Sequence, residues 1–285
     1  LFPYETHSEI SGNMATSTAR KTPTFSFIIV NYRSAVYLPA CFSSFRNSVL
    51  PEEYECIVVN NDSREDTALR LLQKRFTFTL LSLSKNCGFG AAVNRGAERA
   101  RGDILVCLNP DARFLSGNMR DIAHLFNQHP SLGIVGMKLL VEPEMPQRWS
   151  AGVPMTLLEI LRNHLGVPKS KKLWQTRSMK SVAWVSGAAF AIPRTLFFRL
   201  HGFDERFFLY YEDVDICLRV RKFHKKVVLA PSVHILHRGG GSMDHTKHQQ
   251  KNDYYSSQDQ YFALHRPWYE SLLLKLLRGI VRIRK

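Results

Sequence analysis

The sequence predicts an α/β fold: a mixed, mainly parallel central sheet flanked by helices, with a helical extension at the C-terminus. Three observations predict it. Short apolar runs recur through the first half of the chain, helix-patterned segments separate them, and the run at 104–108 stops abruptly at Asn109-Pro110-Asp111. Apolar runs ended by a breaker read as core strands, and Pro110 forbids continuing the ladder. Strands that alternate with helices at this spacing make βαβ units.

Taken in order, residues 25–30 (FSFIIV) read as the first strand and 35–47 as a helix. Residues 54–60 (YECIVVN) form the second strand, 66–76 a helix and 78–83 (FTLLSL) the third strand. Residues 91–101 have the small-residue texture of a helix lying close on a sheet. The strand at 104–108 and a helix at 119–128 follow. After Gly136 the alternation breaks. Residues 142–180, rich in Pro, Lys and Arg, hold one helix (155–165), and a loop this long inside a domain reads as functional or mobile. Residues 181–193 read as a strand pair or one long strand, and 214–223 as a helix. From Tyr255 onward aromatics, leucines and basic residues dominate, and there are no internal repeats. The expected division is a tail at 1–23, a domain at 24–245 in two halves (24–136 and 137–245), and a basic helical segment at 246–285. The tail is polar and unpatterned, read as disordered or as an expression remnant ahead of Met14.

With 285 residues, 45% of them hydrophobic and 11% aromatic, the chain has enough apolar material for a core, which excludes global disorder. Lys and Arg number 39 against 24 Asp and Glu, a net charge of +15. That excess implies an anionic partner: a phosphate-bearing substrate, an acidic membrane surface or nucleic acid. No nucleic-acid motif is present and the excess charge gathers after residue 142, away from the predicted sheet, so nucleic acid is not expected. Cys41, Cys56, Cys87, Cys107 and Cys217 lie far apart without metal-type spacing, and read as small core residues of a reducing compartment. No apolar run reaches the ~18 residues of a membrane span.

Four constellations carry chemistry. Asp111 stands at the carboxyl end of a buried strand, where open α/β sheets hold their ligands; the plainer alternative is a turn residue capping the next helix. Residues 86–103 (NCGFGAAVNRGAERARGD) place Asn86, Gly88 and Gly90 at a helix entrance, where backbone N–H groups and the helix dipole suit phosphate. A dinucleotide fingerprint would follow the first strand, and this turn follows the third. Residues 202–219 set Asp204, Glu212, Asp213 and Asp215 beside Phe207, Phe208, Tyr210 and Tyr211. A helix starting at Glu212 makes Asp215 and Arg219 an i,i+4 pair and leaves Glu212 or Asp213 facing the pocket, unless Asp213 is only an N-cap. Last, His237 precedes three glycines, as a metal ligand or as a loop histidine.

Together these segments resemble the family 2 inverting glycosyltransferases of GT-A (Rossmann-like) fold, particularly the rhamnosyltransferase-like branch, over roughly residues 25–245. FIIVNYRS is similar to the family's opening strand, VVNNDSRED to its nucleotide loop, and NCGFGAAVNRG to its sugar-nucleotide helix. LNPDA resembles a variant of its Asp-x-Asp metal motif, and GFDERFFLYYEDVDICLR its acceptor-side acid segment. The nucleotide loop departs from the usual Asp-Asn-x-Ser, leaving Asp62 or Glu65 to supply the carboxylate, and the metal motif begins with Asn109.

The resemblance implies a nucleotide-sugar-binding half at 24–136 and an acceptor-binding half at 137–245. Asn31, Tyr32, Asn61, Asp62, Asn86, Gly88, Phe89, Asn94, Asn109 and Asp111 would bind a nucleoside diphosphate sugar. Asp111 and His237 would hold a divalent cation, Mg2+ or Mn2+. Trp184, Ser186 and Gly187 would line the acceptor side, with Asp213 as catalytic base and Glu212 beside it. The implied reaction is metal-dependent inverting transfer of a sugar, rhamnose or another hexose, to a cell-surface glycan or lipid-linked acceptor, as in cell-wall polysaccharide synthesis. The implied place is the cytoplasm, peripheral on the inner membrane face. A sugar nucleotidyltransferase would want a Gly-rich basic loop after the first strand, which NYRSAVYLPA is not; a non-catalytic glycan-binding relative stays open.

Two basic segments complete the reading. Lys169, Lys171 and Lys172 belong to an acceptor lid or to a solvated surface. In 262–285, Trp268, Leu272, Leu273, Leu276, Leu277, Ile280 and Ile283 recur at near-helical spacing, with Lys275, Arg278, Arg282, Arg284 and Lys285 on the remaining surface. That pattern suits an interfacial helix on an anionic leaflet, or a helix packed on the domain or on a second copy in a homodimer.

Overall fold

The computed structural model describes residues 22–46, 48–237, 239 and 247–283. The expected tail at 1–23 lies almost wholly outside the described residues, as do most of the glycine run after His237 and the side chains from Ile280 to Lys285.

The elements run β1 (Phe25–Asn31), α1 (Leu38–Phe45), β2 (Tyr54–Asn60), α2 (Asp66–Leu72), β3 (Thr79–Ser82), α3 (Phe89–Ala97), β4 (Ile104–Leu108), β5 (Ala112–Ser116), α4 (Met119–Gln128) and β6 (Leu132–Glu142). Then come β7 (Met145–Pro146), β8 (Ala151–Gly152), α5 (Leu157–His164), α6 (Lys171–Trp174), β9 (Lys180–Ser181), β10 (Trp184–Val185), β11 (Ala189–Pro193) and α7 (Arg194–Arg199). The chain closes with α8 (Glu212–Lys222), β12 (Lys226–His237), α9 (Lys247–His265) and α10 (Trp268–Ile283).

The main sheet has the order β3-β2-β1-β4-β11-β6-β12-β5, with β7 on β6 and β9 on β12; β8 and β10 form a separate pair. β1, β2, β3 and β4 are mutually parallel, as are β6 and β12. β11 runs antiparallel to both its neighbours, and β5 to β12. Every residue of β1 and β4 is buried, which is why these strands read as near-continuous apolar runs. Their side chains alternate between two cores. Ile28 and Val30 face one layer, while Phe25, Phe27 and Ile29 face the other. In the second, the Phe27 ring packs 4.7 Å from that of Phe45. α3 lies close on the sheet because Gly96 sits against Ile28, where a Cβ would come within 2.6 Å of the isoleucine methyl.

The structure corrects several expectations. The helix expected at 91–101 begins at Phe89 and ends at Ala97, and that at 66–76 stops at Leu72. β5 was not anticipated: it follows Asp111 after a tight turn in which the Ala112 amide donates to the Asn109 carbonyl (3.1 Å). β6 runs straight through Gly136, where the sequence suggested a break. The glycine is there because Val185 packs against it, and a Cβ would meet a valine methyl at 2.5 Å. Residues 142–180 are also no structureless loop. They contribute β7, β8, α5, α6 and β9, pinned by the buried Trp174, whose indole donates to the Ala151 carbonyl (2.7 Å). α9 begins earlier than residue 255 and ties down the acid-rich segment: Ser257 donates to the Leu209 carbonyl and Gln258 to the Tyr211 hydroxyl (2.8 Å each). Asp215 forms the expected i,i+4 pair with Arg219 (2.7 Å) and also meets His265 of α9 (2.7 Å), so it is a buried structural anchor.

Candidate active site

A cavity of about 300 Å³ opens at the carboxyl ends of the parallel strands. It gathers Tyr32, Asn61, Asn86, Gly88, Phe89, Asn109, Asp111, Ser186, Gly187, Glu212, Asp213 and His237, all singled out in the sequence. Val30, Ser34, Pro110, Ala188, Phe208, Leu209, Tyr210 and Gln250 complete the lining; of these, Ala188 and Gln250 belong to none of the segments singled out in the sequence for chemistry or resemblance.

Four expected site residues lie outside this cavity. Asn31 is buried beneath it, donating to Asn60 (2.9 Å) and Glu65 (2.8 Å), and Glu65 in turn accepts from the Ser34 amide (3.0 Å). This carboxylate holds the turn after β1. Asp62 is engaged by Arg33 (3.1 Å) and Arg64 (2.9 Å). Asn94 turns away and clasps the backbone of Phe203 through both its amide nitrogen (2.9 Å) and oxygen (2.8 Å), joining α3 to the acid-rich segment. Trp184 lines a second, larger cavity.

The turn before α3 is held by Asn61, which accepts from the Cys87 amide (3.0 Å) and donates to Asn86 (2.8 Å) and to the Gly88 carbonyl (3.1 Å). Gly88 has φ +91°, and a Cβ there would lie 2.5 Å from the Phe208 carbonyl oxygen. That oxygen accepts from the Phe89 amide (2.9 Å), while the Gly88 amide donates to Asn86 (3.0 Å). Gly88 therefore serves the docking of the 208 segment, and neither of these two amides is left over for a phosphate.

On the opposite wall, His237 at the end of β12 faces Asp111 at the end of β4, with Nε2 3.4 Å from a carboxylate oxygen. Its Nδ1 lies 2.8 Å from the Gln147 oxygen, which fixes that nitrogen as the donor. Nε2 then presents its lone pair toward Asp111 and the Asn109 amide (3.1 Å). A histidine whose other nitrogen is so engaged is oriented as a metal ligand. Donor atoms at this separation match neighbouring positions on one small cation, about 3 Å apart for bonds near 2.1 Å, so the residues fit a divalent ion whose remaining ligands would come from outside the protein. Among the described residues no cluster of three or more His, Cys, Asp or Glu side chains gathers to hold a metal by itself. Burial opposes ionisation of Asp111, but a His237 protonated on both nitrogens donates to it and, with backbone N–H groups, outweighs burial and holds the carboxyl below its ordinary range. A cation at Nε2 would take the place of that proton.

The acids sit on a strained turn. Tyr210 and Tyr211 both adopt left-handed backbone (φ 69° and 66°), unusual for bulky residues, and strain of this kind concentrates at functional sites. The turn aims Glu212 and Asp213, in the first turn of α8, at the cavity. The two carboxylate oxygens of Asp213 accept from the Gly187 and Val214 amides (2.8 Å each). One oxygen of Glu212 is buried without a hydrogen-bond partner. Burial raises both acids, and the neighbouring Asp213 charge drives Glu212 further, whereas backbone N–H groups favour the charged form of Asp213. The pair thus shares its charge unequally: Glu212 holds its proton more strongly, and Asp213 is the member that ionises first.

The buried Glu212 makes stability depend on pH. A carboxyl whose pKa is raised by folding carries no penalty below the ordinary carboxylate range. It costs stability progressively as pH climbs from there through the raised pKa. Glu212→Gln is expected to stabilise the protein at pH 8 by on the order of 1–3 kcal/mol and to have little effect near pH 4. Melting temperatures of both proteins across pH read the difference directly, and equal shifts at the two pH values would contradict it.

The acids also line a larger cavity of about 620 Å³, which shares Ser186, Tyr210, Glu212 and Asp213 with the first. Its other walls include Trp149, Trp184, Tyr211, Tyr254 and Tyr255, together with Ile160 and Asn163 of α5. The acid pair therefore stands on a wall common to two cavities, one holding the Asp111–His237 pair, the other rich in aromatic faces.

The fold is that of the GT-A glycosyltransferases. It superposes on GalNAc-T7 solved with UDP, GalNAc and Mn2+ at a TM-score of 0.58 and 15% identity, over 75% of this chain and 44% of that one. It superposes on the mannosyltransferase PcManGT of Pyrobaculum calidifontis, in complex with GDP-Man and Mn2+, at a TM-score of 0.56 and 18% identity, over 85% and 64%. This chain thus spans less than half the length of the first of these and under two thirds of the second. The family described as Glycosyl transferase family 2 matches residues 26–210; the chain belongs to that family and is a glycosyltransferase. Among its relatives is the N-acetylglucosaminyl-diphospho-decaprenol L-rhamnosyltransferase of Mycobacterium tuberculosis (strain ATCC 25618 / H37Rv), 27% identical over 253 residues, which are 80% of this chain and 81% of that protein.

Proposed function

We propose that the protein transfers a hexose, rhamnose being the first candidate, from a nucleoside diphosphate sugar to a hydroxyl of a lipid-linked glycan, with inversion at the sugar carbon. The observation that carries this reading is the position of Asp213 on the wall shared by the two cavities. A donor in the smaller cavity and an acceptor in the larger would meet at this acid. The sugar and acceptor are suggested by the rhamnosyltransferase relative, whose name specifies a diphospho-decaprenol substrate.

In this reading Asp213, ionised and held by the Gly187 and Val214 amides, accepts the proton of the attacking hydroxyl. The oxygen bonds to the anomeric carbon as the bond to the diphosphate breaks, and attack opposite the departing phosphate inverts the centre. Glu212, protonated, leaves Asp213 as the single charge of the pair. Asp111 and His237 would hold a divalent cation, Mg2+ or Mn2+, which when bound neutralises charge on the leaving diphosphate. The aromatic faces of Trp149, Trp184 and Tyr210 suit the apolar faces of acceptor sugars.

The test is a donor-hydrolysis screen across nucleotide sugars with and without Mn2+ or Mg2+. The expected result is slow, cation-dependent hydrolysis of one deoxyhexose or hexose donor in preference to the others. A folded protein that hydrolyses and binds none of them would defeat the reading.

A further inference from the structure

Outside both cavities, two helices expose an apolar surface. α10 presents Trp268, Tyr269, Leu272, Leu273 and Leu276, from 45% to 77% exposed, at positions that fall on one helical face. α5 presents Leu158 and Leu161, and the residue capping it is Leu165, exposed by 54%, 38% and 77% at i, i+3 and i+7. The two are joined at their starts: the Leu157 amide donates to Glu270 (3.1 Å), which Arg266 holds at 2.6 Å. The inner face of α5, through Ile160 and Asn163, walls the larger cavity. One helix thus has the candidate acceptor cavity on one side and bare leucines on the other.

The charge around this surface is basic. Lys169, Lys171 and Lys172, all exposed, follow α5 directly, and that turn folds back on the helix where the Lys169 amide donates to Glu159 (3.1 Å). Lys275 is exposed within α10. The nearby acids are not available to offset them, since Glu159 is buried and Glu270 is paired. Arg278, expected on the basic face, instead pairs with Asp259 (2.9 Å) and stacks on Tyr255 (4.4 Å).

We propose that α5 and α10 together form a docking surface for an anionic phospholipid bilayer, on which the apolar side chains enter the interface and the lysines meet the headgroups. Apolar burial combined with basic attraction is what holds interfacial helices, and Trp and Tyr at the start of α10 suit the headgroup level. No helix among the described residues is long and apolar enough to cross a membrane, so the contact is peripheral in kind. Docking through α5 sets the acceptor cavity beside the bilayer. Only that last consequence rests on the proposed reaction, because docking is measured without donor or acceptor.

Flotation of the full chain with phosphatidylglycerol-containing vesicles, and with phosphatidylcholine alone, tests it. The protein is expected to float with the anionic vesicles and to be released by high salt. The triple variants Leu158→Gln/Leu161→Gln/Leu165→Gln and Trp268→Ser/Leu272→Gln/Leu276→Gln should each weaken binding by about tenfold or more. Lys169→Gln/Lys171→Gln/Lys172→Gln leaves all the leucines in place and should weaken it by severalfold. A wild-type protein that ignores anionic vesicles overturns the proposal. So does an α5 variant that floats like wild type, or a dimer by light scattering that the leucine variants convert to monomer while vesicles bind neither form.

Discussion

Asp213→Asn is expected to lower turnover by a factor on the order of 10² or more while leaving donor affinity unchanged, as for loss of a general base. The side chain keeps its shape, and one of its two backbone contacts survives: an amide oxygen can still accept from Gly187 or from Val214, but its –NH2 cannot accept from the other. A stability loss of about 1 kcal/mol accompanies this change, small enough that folded enzyme can be assayed. Glu212→Gln is the matched control. It removes the group that keeps the proton and leaves Asp213 in place, so turnover should stay within a few-fold of wild type. Because burial holds the Asp213 pKa above its ordinary value, wild-type activity should fall on the acid side at a pH above the ordinary carboxylate range. Single-turnover rates with saturating donor separate chemistry from binding. Lost turnover in Glu212→Gln with activity kept in Asp213→Asn would exchange the roles of the two acids.

Much of the sheet could be read in the chain, for physical reasons that the structure makes plain. β1, β2 and β4 are parallel strands almost wholly buried on both faces, so they read as near-continuous apolar runs. β5 and β6 were illegible because their signals mislead locally. Ala112–Ser116 carries a charge and two exposed residues, and Gly136 marks close packing of Val185, not a break. The same ambiguity affects Gly88, whose φ and contact with Phe208 serve a tertiary junction that local sequence cannot show. Within the site, the residues that end strands or begin α8 were legible, since a polar residue that closes a buried apolar run falls where the sheet opens to solvent or ligand. Asn94 was not, because a helical asparagine facing a ligand and one clasping the Phe203 backbone have identical local sequence. The second cavity was legible only in part: Trp184 and Ser186, expected on the acceptor side, line it, but its enclosure was not. It is walled by Trp149, Ile160, Trp184, Tyr211 and Tyr254, which converge from far-apart segments.

Asp111→Ala should abolish cation-dependent donor binding and leave the fold intact. Asp111 lies in the turn between β4 and β5 at the cavity wall and belongs to neither hydrophobic core, so truncation opens no hole there. The acids of the site are shifted in opposite directions, Asp111 down with His237 beside it and Glu212 up by burial. Environments that separate carboxyl groups in this way assign them different tasks. A carboxyl kept ionised across the working pH range is available as a hard oxygen ligand, while one kept protonated is not. Calorimetry with a nucleoside diphosphate in the presence and absence of Mn2+ reads the assignment. Wild type should gain affinity when Mn2+ is present, and Asp111→Ala should bind equally weakly in both, a loss of about 100-fold or more with the metal present. Gln147→Ala, which frees the Nδ1 side of His237 without touching either ligand, should cost about 10- to 100-fold, the usual range for a group that orients a metal-bound histidine. A folded Asp111→Ala protein that still gains affinity with Mn2+ would move the cation away from the end of β4. The nucleotide would then have to be held by the Asn61 and Asn86 side of the cavity alone, where the Gly88 and Phe89 amides are already committed within the protein.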